Sequence, residues 1–212
     1  MRVRRLFTSL PILFAGLSLF SSALFAADKP VTRSLFDGKT LNGWTIENDC
    51  KVKVKDGMML LAAGNGWLRS NNTYRDFKFH IEMKALKKEK YDAGIYIRTL
   101  PGTKPFPRKS YQANLLQGKE GNIGNLKGAS SKGLINPAGQ WNVFDVTVVG
   151  RSISLEINGK AAYKADGLDI DRGYIGLQIE VPSGGQFLVR DILIVELGYR
   201  NLFNGRDLTG WA

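Results

Sequence analysis

The chain has 212 residues, with 30 Lys and Arg against 19 Asp and Glu and a formal net charge of +11. Cys50 is its only cysteine and His80 its only histidine, which excludes a disulfide framework within the chain and a His/Cys zinc centre. The positive charge is scattered, with no Lys/Arg block interleaved with aromatics and no nucleic-acid module signature, so no nucleic-acid partner is expected.

Residues 1–27 read as a signal peptide. "MRVRR" is a basic head, the run that follows carries no charge, and small residues precede Asp28. Cleavage near Ala26 or Ala27 would deliver the rest to the periplasm or the outside. No cysteine stands at the cut to make a lipoprotein, and no later stretch is long and apolar enough to cross a bilayer. A basic balance remains after Arg2, Arg4 and Arg5 are removed, and it leaves room for a loose preference for acidic surfaces or glycans.

From Asp28 onward the pattern is strand after strand. "KVKVK" sets Lys51, Lys53 and Lys55 on one face and Val52 and Val54 on the other, as a solvated or edge-protecting strand would. "DFKFHIEMKA" alternates Phe77, Phe79, Ile81 and Met83 against Lys78, His80, Glu82 and Lys84. "ALKKEKYD" is short and charged and reads as a loop. In "AGIYIRTL", Ile95 and Ile97 point inward and Tyr96 and Arg98 outward. "LPGTKPFPRKS" is a surface excursion, "YQANLLQ" a strand, and "GKEGNIGNLKGASSKGLINPAGQ" a long Gly/Asn-rich loop. "WNVFDVTVVG" and "SISLEING" form a hairpin, and "NGK" at Asn158–Lys160 turns into another strand. "GYIGLQIEV" and "QFLVRDILIVEL" complete the set around a Pro-Ser-Gly-Gly loop. Many short strands with close turn signals, and no 3.6-residue period between Lys29 and Leu197, predict an all-β antiparallel sandwich over residues 28–198. Long loops in a compact domain tend to carry function, so the strand between the two longest ones is where a site is sought.

The chain closes on "LFNGRDLTGWA", Leu202–Ala212, which shares Leu, Phe, Gly, Leu, Gly and Trp at equal spacing with "LFDGKTLNGW", Leu35–Trp44. The expectation is that residues 199–212 are a linker and the opening of a second copy of the same domain, with Trp44 well packed and Trp211 exposed.

The order of phrases "LFDGKTLNGW", "GWLRS…YRDFKFHIEMK", "AGIYIR", "QWNVFDVTVVGRSISLEINGK" and "GYIGLQ…FLVRDILI" resembles the 3-keto-disaccharide hydrolase family across nearly all of residues 34–197. The resemblance implies a concanavalin A-like, laminin-G-like jelly roll, and a secreted or periplasmic enzyme acting on sugars oxidised at C3. The 3-keto group acidifies the C2 hydrogen, a base removes it, the glycosidic bond leaves by elimination and water adds afterwards.

This sequence departs from the family at the polar positions. Where the family typically has an acid, a Gln and an Asp, it has Gln112, Asn114 and Gln117, with Gln117 on the other strand parity unless a bulge intervenes. After "IGLQ" it keeps Gln178 and places Glu180 where the family has His. Glu180 is the carboxylate that parity puts on the presumed site face and is the expected base. Arg98, Gln112, Asn114, Gln117, Gln178, Asp92 and Trp67 are the expected substrate contacts, since amides suit sugar hydroxyls. Trp44 and Trp141 are assigned to the core, and His80 to solvent. No metal or other cofactor is expected, although a calcium ion on loop carbonyls and Asp side chains is left open. The expected partner is a carbohydrate. The alternative reading is a non-catalytic carbohydrate-binding module whose acidic site has been lost.

Overall fold

A computed structural model describes residues 31–198. The N-terminal segment and the Leu202–Ala212 echo, Trp211 included, lie outside the described residues. The elements are β1 (Thr32–Ser34), β2 (Trp44–Lys55), β3 (Met58–Tyr74), β4 (Phe77–Ala85), β5 (Gly94–Leu100), β6 (Lys109–Asn114), β7 (Asn142–Val149), β8 (Ser152–Ile157), β9 (Lys160–Asp166), β10 (Gly173–Glu180), the one-turn helix α1 (Val181–Gly184) and β11 (Phe187–Glu196). All strand pairs are antiparallel. The hydrogen-bonded order is β6-β5-β10-β3-β11-β4-β7-β8-β9, with β2 beside β3 and β1 beside β11.

One ladder makes two layers because β3 serves both. Its first residues, Met59–Leu61, pair with β11, and its later ones, Asn65–Tyr74, pair with β10. The change occurs at Gly64, whose φ of +79° suits glycine. Opposite it, β2 shifts register between Lys51 and Val52. This bend folds the sheet over itself, so β6-β5-β10-β3-β2 forms one layer and β11-β4-β7-β8-β9 the other. The fold is the antiparallel sandwich expected from the alternation, in the jelly-roll form that the family resemblance implies.

Between the layers lies one apolar core. Phe77, Phe79, Ile81 and Met83 of β4 face Ile95 and Ile97 of β5 and Ile175, Leu177 and Ile179 of β10, all buried. Each such side chain contributes roughly 1.5–3 kcal/mol on burial. Trp44 joins this core and donates its indole N–H to the Leu35 carbonyl at 2.6 Å. Cys50 is buried too. Burial pushes its thiol up to about 11, which makes it inert rather than nucleophilic.

Trp141 departs from its core assignment. It is half-buried on the outer face of the second layer, where the Arg190 guanidinium lies 4.1 Å and the Lys84 ammonium 4.7 Å from its ring centroid. Cations over a π face keep an indole at the surface without exposing it bare. His80 is not simply solvated: its Nδ1 lies 2.7 Å from Asp145 across the β4–β7 pair.

Candidate active site

The site grows out of the β6-β5-β10-β3-β2 layer, on the face turned away from the core. Register fixes its rows: Gln112 stands opposite Tyr96, Tyr96 opposite Gly176, Gln178 opposite Trp67 and Trp67 opposite Glu47. Two glycines let side chains lie flat here. A Cβ on Gly94 would fall 2.0 Å from the Gln112 amide nitrogen, and one on Gly176 would fall 2.8 Å from the Trp67 ring. Gln112 therefore crosses above Gly94 and donates its amide N–H to the Gln178 side-chain oxygen. Gln178 in turn donates to a Glu180 carboxylate oxygen at 2.8 Å, and Ser183 Oγ donates to the other at 2.7 Å. The result is a directed chain, Gln112 to Gln178 to Glu180, ending on a carboxylate.

A second carboxylate completes the arrangement. Asp92, in the loop before β5, donates its backbone N–H to the Gly184 carbonyl at 3.0 Å, so α1 holds it beside the end of β10. Burial and the nearby charge of Glu180 push the Asp92 carboxyl from 3.8 up to about 6. Tyr96 is 3% exposed. Burial, then the charges of Glu180 and Asp92, raise its phenol, which stays protonated. Two carboxylates are thus set apart by their surroundings. One is hydrogen-bonded by neutral donors, and the other keeps its proton up to about pH 6, the usual division between base and acid.

The proline-rich excursion, residues 101–108, crosses this face. Asn48 of β2 donates its side-chain N–H to the Pro105 carbonyl at 2.7 Å. The excursion leaves from β5 and returns to β6, at the far side of the layer, and the layer's other face is filled by core. It reaches Asn48 only by passing over β10 and β3, about 14 Å at the usual strand spacing. Trp67, 1% exposed on a face directed away from the core, packs edge-on against Tyr96, with centroids 5.8 Å apart, and flat over Gly176. Buried in this way, Trp67 presents no free ring for a sugar; it supports the site instead of stacking on ligand. Beside the excursion opens a trough of about 710 Å³ lined by Asn48, Asp49, Asn65, Lys104 and Pro105.

The structure brings together Gln112, Gln178, Glu180 and Asp92. Asn114 sits at the margin, opposite Gly94, where its side-chain oxygen accepts the Leu116 N–H at 2.7 Å and turns the chain out of β6. That early end overrides the expected strand through Gln117. Gln117 is exposed and its oxygen accepts the Lys90 N–H at 2.7 Å, pinning a loop instead of meeting substrate.

Arg98 is the clearest correction. Its backbone adopts φ +46°, and registers shift between Ile97 and Leu100 on β5 and between Tyr174 and Gly176 on β10. This irregularity takes Arg98 out of the Tyr96 row. Its guanidinium, 1% exposed, donates to the carbonyls of Arg75, Gly150 and Ile170 and to the Asp76 carboxylate.

Sequence reasoning missed Tyr96 as a site neighbour, although parity alone put it in the Gln112 row. It also missed Ser183, Asn65, Asp49 and Lys104. Asn65 and Asp49 could have been found by extending the Glu180 row across the sheet; Ser183 and Lys104 had no local signal. Among the described residues, no group of three or more His, Cys, Asp or Glu could hold a metal ion.

A family model described as the 3-keto-alpha-glucoside-1,2-lyase-like domain matches residues 31–194. Among solved structures, a candidate glycosyl hydrolase from Parabacteroides distasonis superposes with a TM-score of 0.64 at 19% identity, covering 89% of this chain and 100% of its own. A second structure under the same description and from the same organism gives 0.64 at 16% identity, covering 78% and 94%. The carbohydrate-binding module CBM66 from Bacillus subtilis gives 0.58 at 13% identity, covering 73% and 96%. At these identities the structural matches establish the fold alone. No curated protein matches the chain at a significant level.

Proposed function

The chain belongs to the 3-keto-alpha-glucoside-1,2-lyase-like family, a carbohydrate-active family, and from that premise we propose that its site cleaves glycosides of 3-keto sugars by elimination followed by hydration. The observation that carries the reading is the pairing of two carboxylates in one partly buried site: Glu180, held by Gln178 and Ser183, and Asp92, whose carboxyl burial and the Glu180 charge push up to about 6.

Glu180 takes the C2 hydrogen, which the 3-keto group has acidified. The C–H electron pair forms the enolate, then collapses to a C1–C2 double bond as the glycosidic C–O bond breaks. Asp92 delivers its proton to the departing oxygen, and water later adds across the double bond. The Gln112 amide keeps one N–H beyond the one given to Gln178, a neutral donor for the developing enolate oxygen.

A second reading, a sugar-binding module without catalysis, is favoured by the neutral amides Gln112 and Gln117 at positions where the family typically carries acids. One experiment separates the two. Wild-type protein and Glu180→Gln are assayed on a 3-keto-disaccharide, with binding followed by calorimetry. The enzyme reading expects turnover by the wild type and its loss in the variant with binding kept. Binding by both proteins with no turnover by either would leave the module reading. The basic head and apolar run of residues 1–27 support export to the periplasm or the outside, which fractionation of cells expressing the full chain tests.

A further inference from the structure

The tyrosines of this fold differ in what their hydroxyls do. Tyr91 donates to Glu120, Tyr111 to Asp169, and Tyr163 to the Gly121 carbonyl at 2.8 Å. Tyr96 is buried as deeply, yet among the described residues nothing accepts from its hydroxyl or donates to it. That hydroxyl is not sealed off either. Among the described residues, the one fully enclosed side-chain polar atom without a partner is Thr99 Oγ1. The little surface that Tyr96 keeps therefore includes its oxygen. A buried phenol normally finds a partner inside the protein, because leaving it without one costs its desolvation. One left over at the floor of a site is placed for a partner from outside.

Register says which way it faces. Tyr96 on β5 stands opposite Gln112 on β6 and Gly176 on β10, and two residues earlier Gly94 stands opposite Gln178. Alternation puts Tyr96 on the face of Gln112, Gln178 and Glu180. Opposed Cβ atoms lie about 4.5–5.5 Å apart, so the Gln112 amide and the Tyr96 ring are neighbours. The Trp67 ring fills the space over Gly176 and packs edge-on against Tyr96, which fixes the phenol in place. Burial first, then the charges of Glu180 and Asp92, keep that phenol a neutral O–H donor.

We propose that Tyr96 is a further catalytic residue: its hydroxyl and the spare Gln112 N–H together hold the C3 carbonyl oxygen of the keto ring, one on each lone pair. The inference rests on the reaction proposed above for the enolate, but not for recognition of the carbonyl. When Glu180 takes the C2 hydrogen, the C–H electron pair forms the C2–C3 double bond and negative charge gathers on the C3 oxygen. Tyr96 donates a hydrogen bond to that oxygen and keeps its proton. The C3 carbonyl then reforms as the double bond moves to C1–C2, and the glycosidic oxygen leaves with the Asp92 proton. A fixed donor aimed where charge develops favours the transition state over the substrate. It also separates a ketone from the parent alcohol, since a carbonyl oxygen accepts both donors while a hydroxyl brings a hydrogen of its own.

The test is Tyr96→Phe, which keeps the ring against Trp67 and removes one oxygen. No protein group bonds that oxygen, so the melting temperature should move by less than about 3 °C. A larger loss would show that the hydroxyl already serves the fold and would overturn the proposal. On a 3-keto-disaccharide, kcat should fall about 10²–10³-fold, the usual worth of one such donor. An unchanged kcat in an active enzyme would overturn it. Calorimetry decides the matter independently of turnover, with 3-keto-1,5-anhydroglucitol, which has no glycosidic bond to lose, against 1,5-anhydroglucitol. Wild type should bind the ketone about tenfold tighter than the alcohol, as one added hydrogen bond provides, and Tyr96→Phe should bind the two alike. No preference in the wild type, binding of neither compound, or a preference that survives in Tyr96→Phe would overturn the proposal. A preference that Tyr96→Phe erases, in a wild type that cleaves no 3-keto-disaccharide, would retire the reaction and keep Tyr96 as the carbonyl donor.

Discussion

The two ends of the β5–β10 pair carry polar side chains that look alike in the sequence and behave in opposite ways. At one end, Arg98 has five N–H donors and all five are in use, on the carbonyls of Arg75, Gly150 and Ile170 and on Asp76. At the other end, Gln112 keeps an N–H and a carbonyl oxygen beyond its bond to Gln178, and Glu180 and Asp92 remain partly open to solvent. A polar side chain whose hydrogen-bonding capacity is fully satisfied within the protein is a fastener. One whose capacity is left over, beside a carboxylate of altered proton affinity, is in a position to meet a ligand. The difference lies in residual capacity, which strand parity does not report.

The sharpest way to break this comparison is at its structural end. Arg98→Leu would leave three carbonyls and Asp76 without their buried cation, and removing one partner of such a network costs about 3–5 kcal/mol. Urea denaturation should show that loss, while the variant that remains folded should bind sugar with unchanged affinity. A loss of sugar affinity exceeding the loss of folded protein would place Arg98 back in the site.

At the open end, Glu180→Gln preserves shape and the Gln178 contact but cannot accept a proton. Turnover should fall about 10²–10⁴-fold, the usual worth of a positioned acid or base. Thermal unfolding should move by less than the equivalent of about 1 kcal/mol, as for a surface change outside the core. Gly94→Ala is subtler. Its new Cβ must displace the Gln112 amide, the mobile end of a side chain, so Gln112 loses Gln178 while the backbone stays in place. Weaker substrate binding by about tenfold is expected, with stability changed by about 1 kcal/mol or less. An unchanged KM would remove Gln112 from the binding surface.

The smallest effect expected is on stability at Asp92. Its folded carboxyl is raised from 3.8 to about 6, so the folded state binds that proton more tightly than the unfolded chain. The site is therefore destabilised above about pH 6, and the penalty is absent below about pH 4. A displacement of this size carries roughly 3 kcal/mol at most, and solvent screening leaves about 1 kcal/mol. Asp92→Asn should accordingly unfold at a higher temperature than wild type at pH 8 and at nearly the same temperature at pH 4.

How far the sequence could be read follows the same division. Alternation in "DFKFHIEMKA" and "GYIGLQIEV" gives the faces of β4 and β10 directly, because period 2 is a local property of the chain. The Gln178 and Glu180 assignment to one face came from that regularity. Arg98 escaped it because a bulge and a left-handed backbone angle reset the parity within one residue, and no residue type announced them. Gln117 escaped because the Asn114 side chain captured the Leu116 N–H and ended β6 early. The hold of the excursion on β2 depends on a bond between residues 57 positions apart in the chain, and the burial of Trp67 on its packing against Tyr96 and Gly176, contacts no local pattern encodes. Trp67 was accordingly placed against the sugar when it is closed off, and Trp141 was placed in the core when Arg190 and Lys84 cover it at the surface.

The claim at the centre of this account is that Asp92 holds the proton that the leaving oxygen receives while Glu180 takes the one from C2. The pH dependence of kcat/KM on a 3-keto-disaccharide tests it most directly. An acid must be protonated to act, so activity should decline as pH rises through about 6, and Asp92→Asn should abolish that limb along with most of the rate. A rate that instead climbs through pH 6 would make Asp92 the base, and a profile without any transition near 6 would contradict the assignment of the pair altogether.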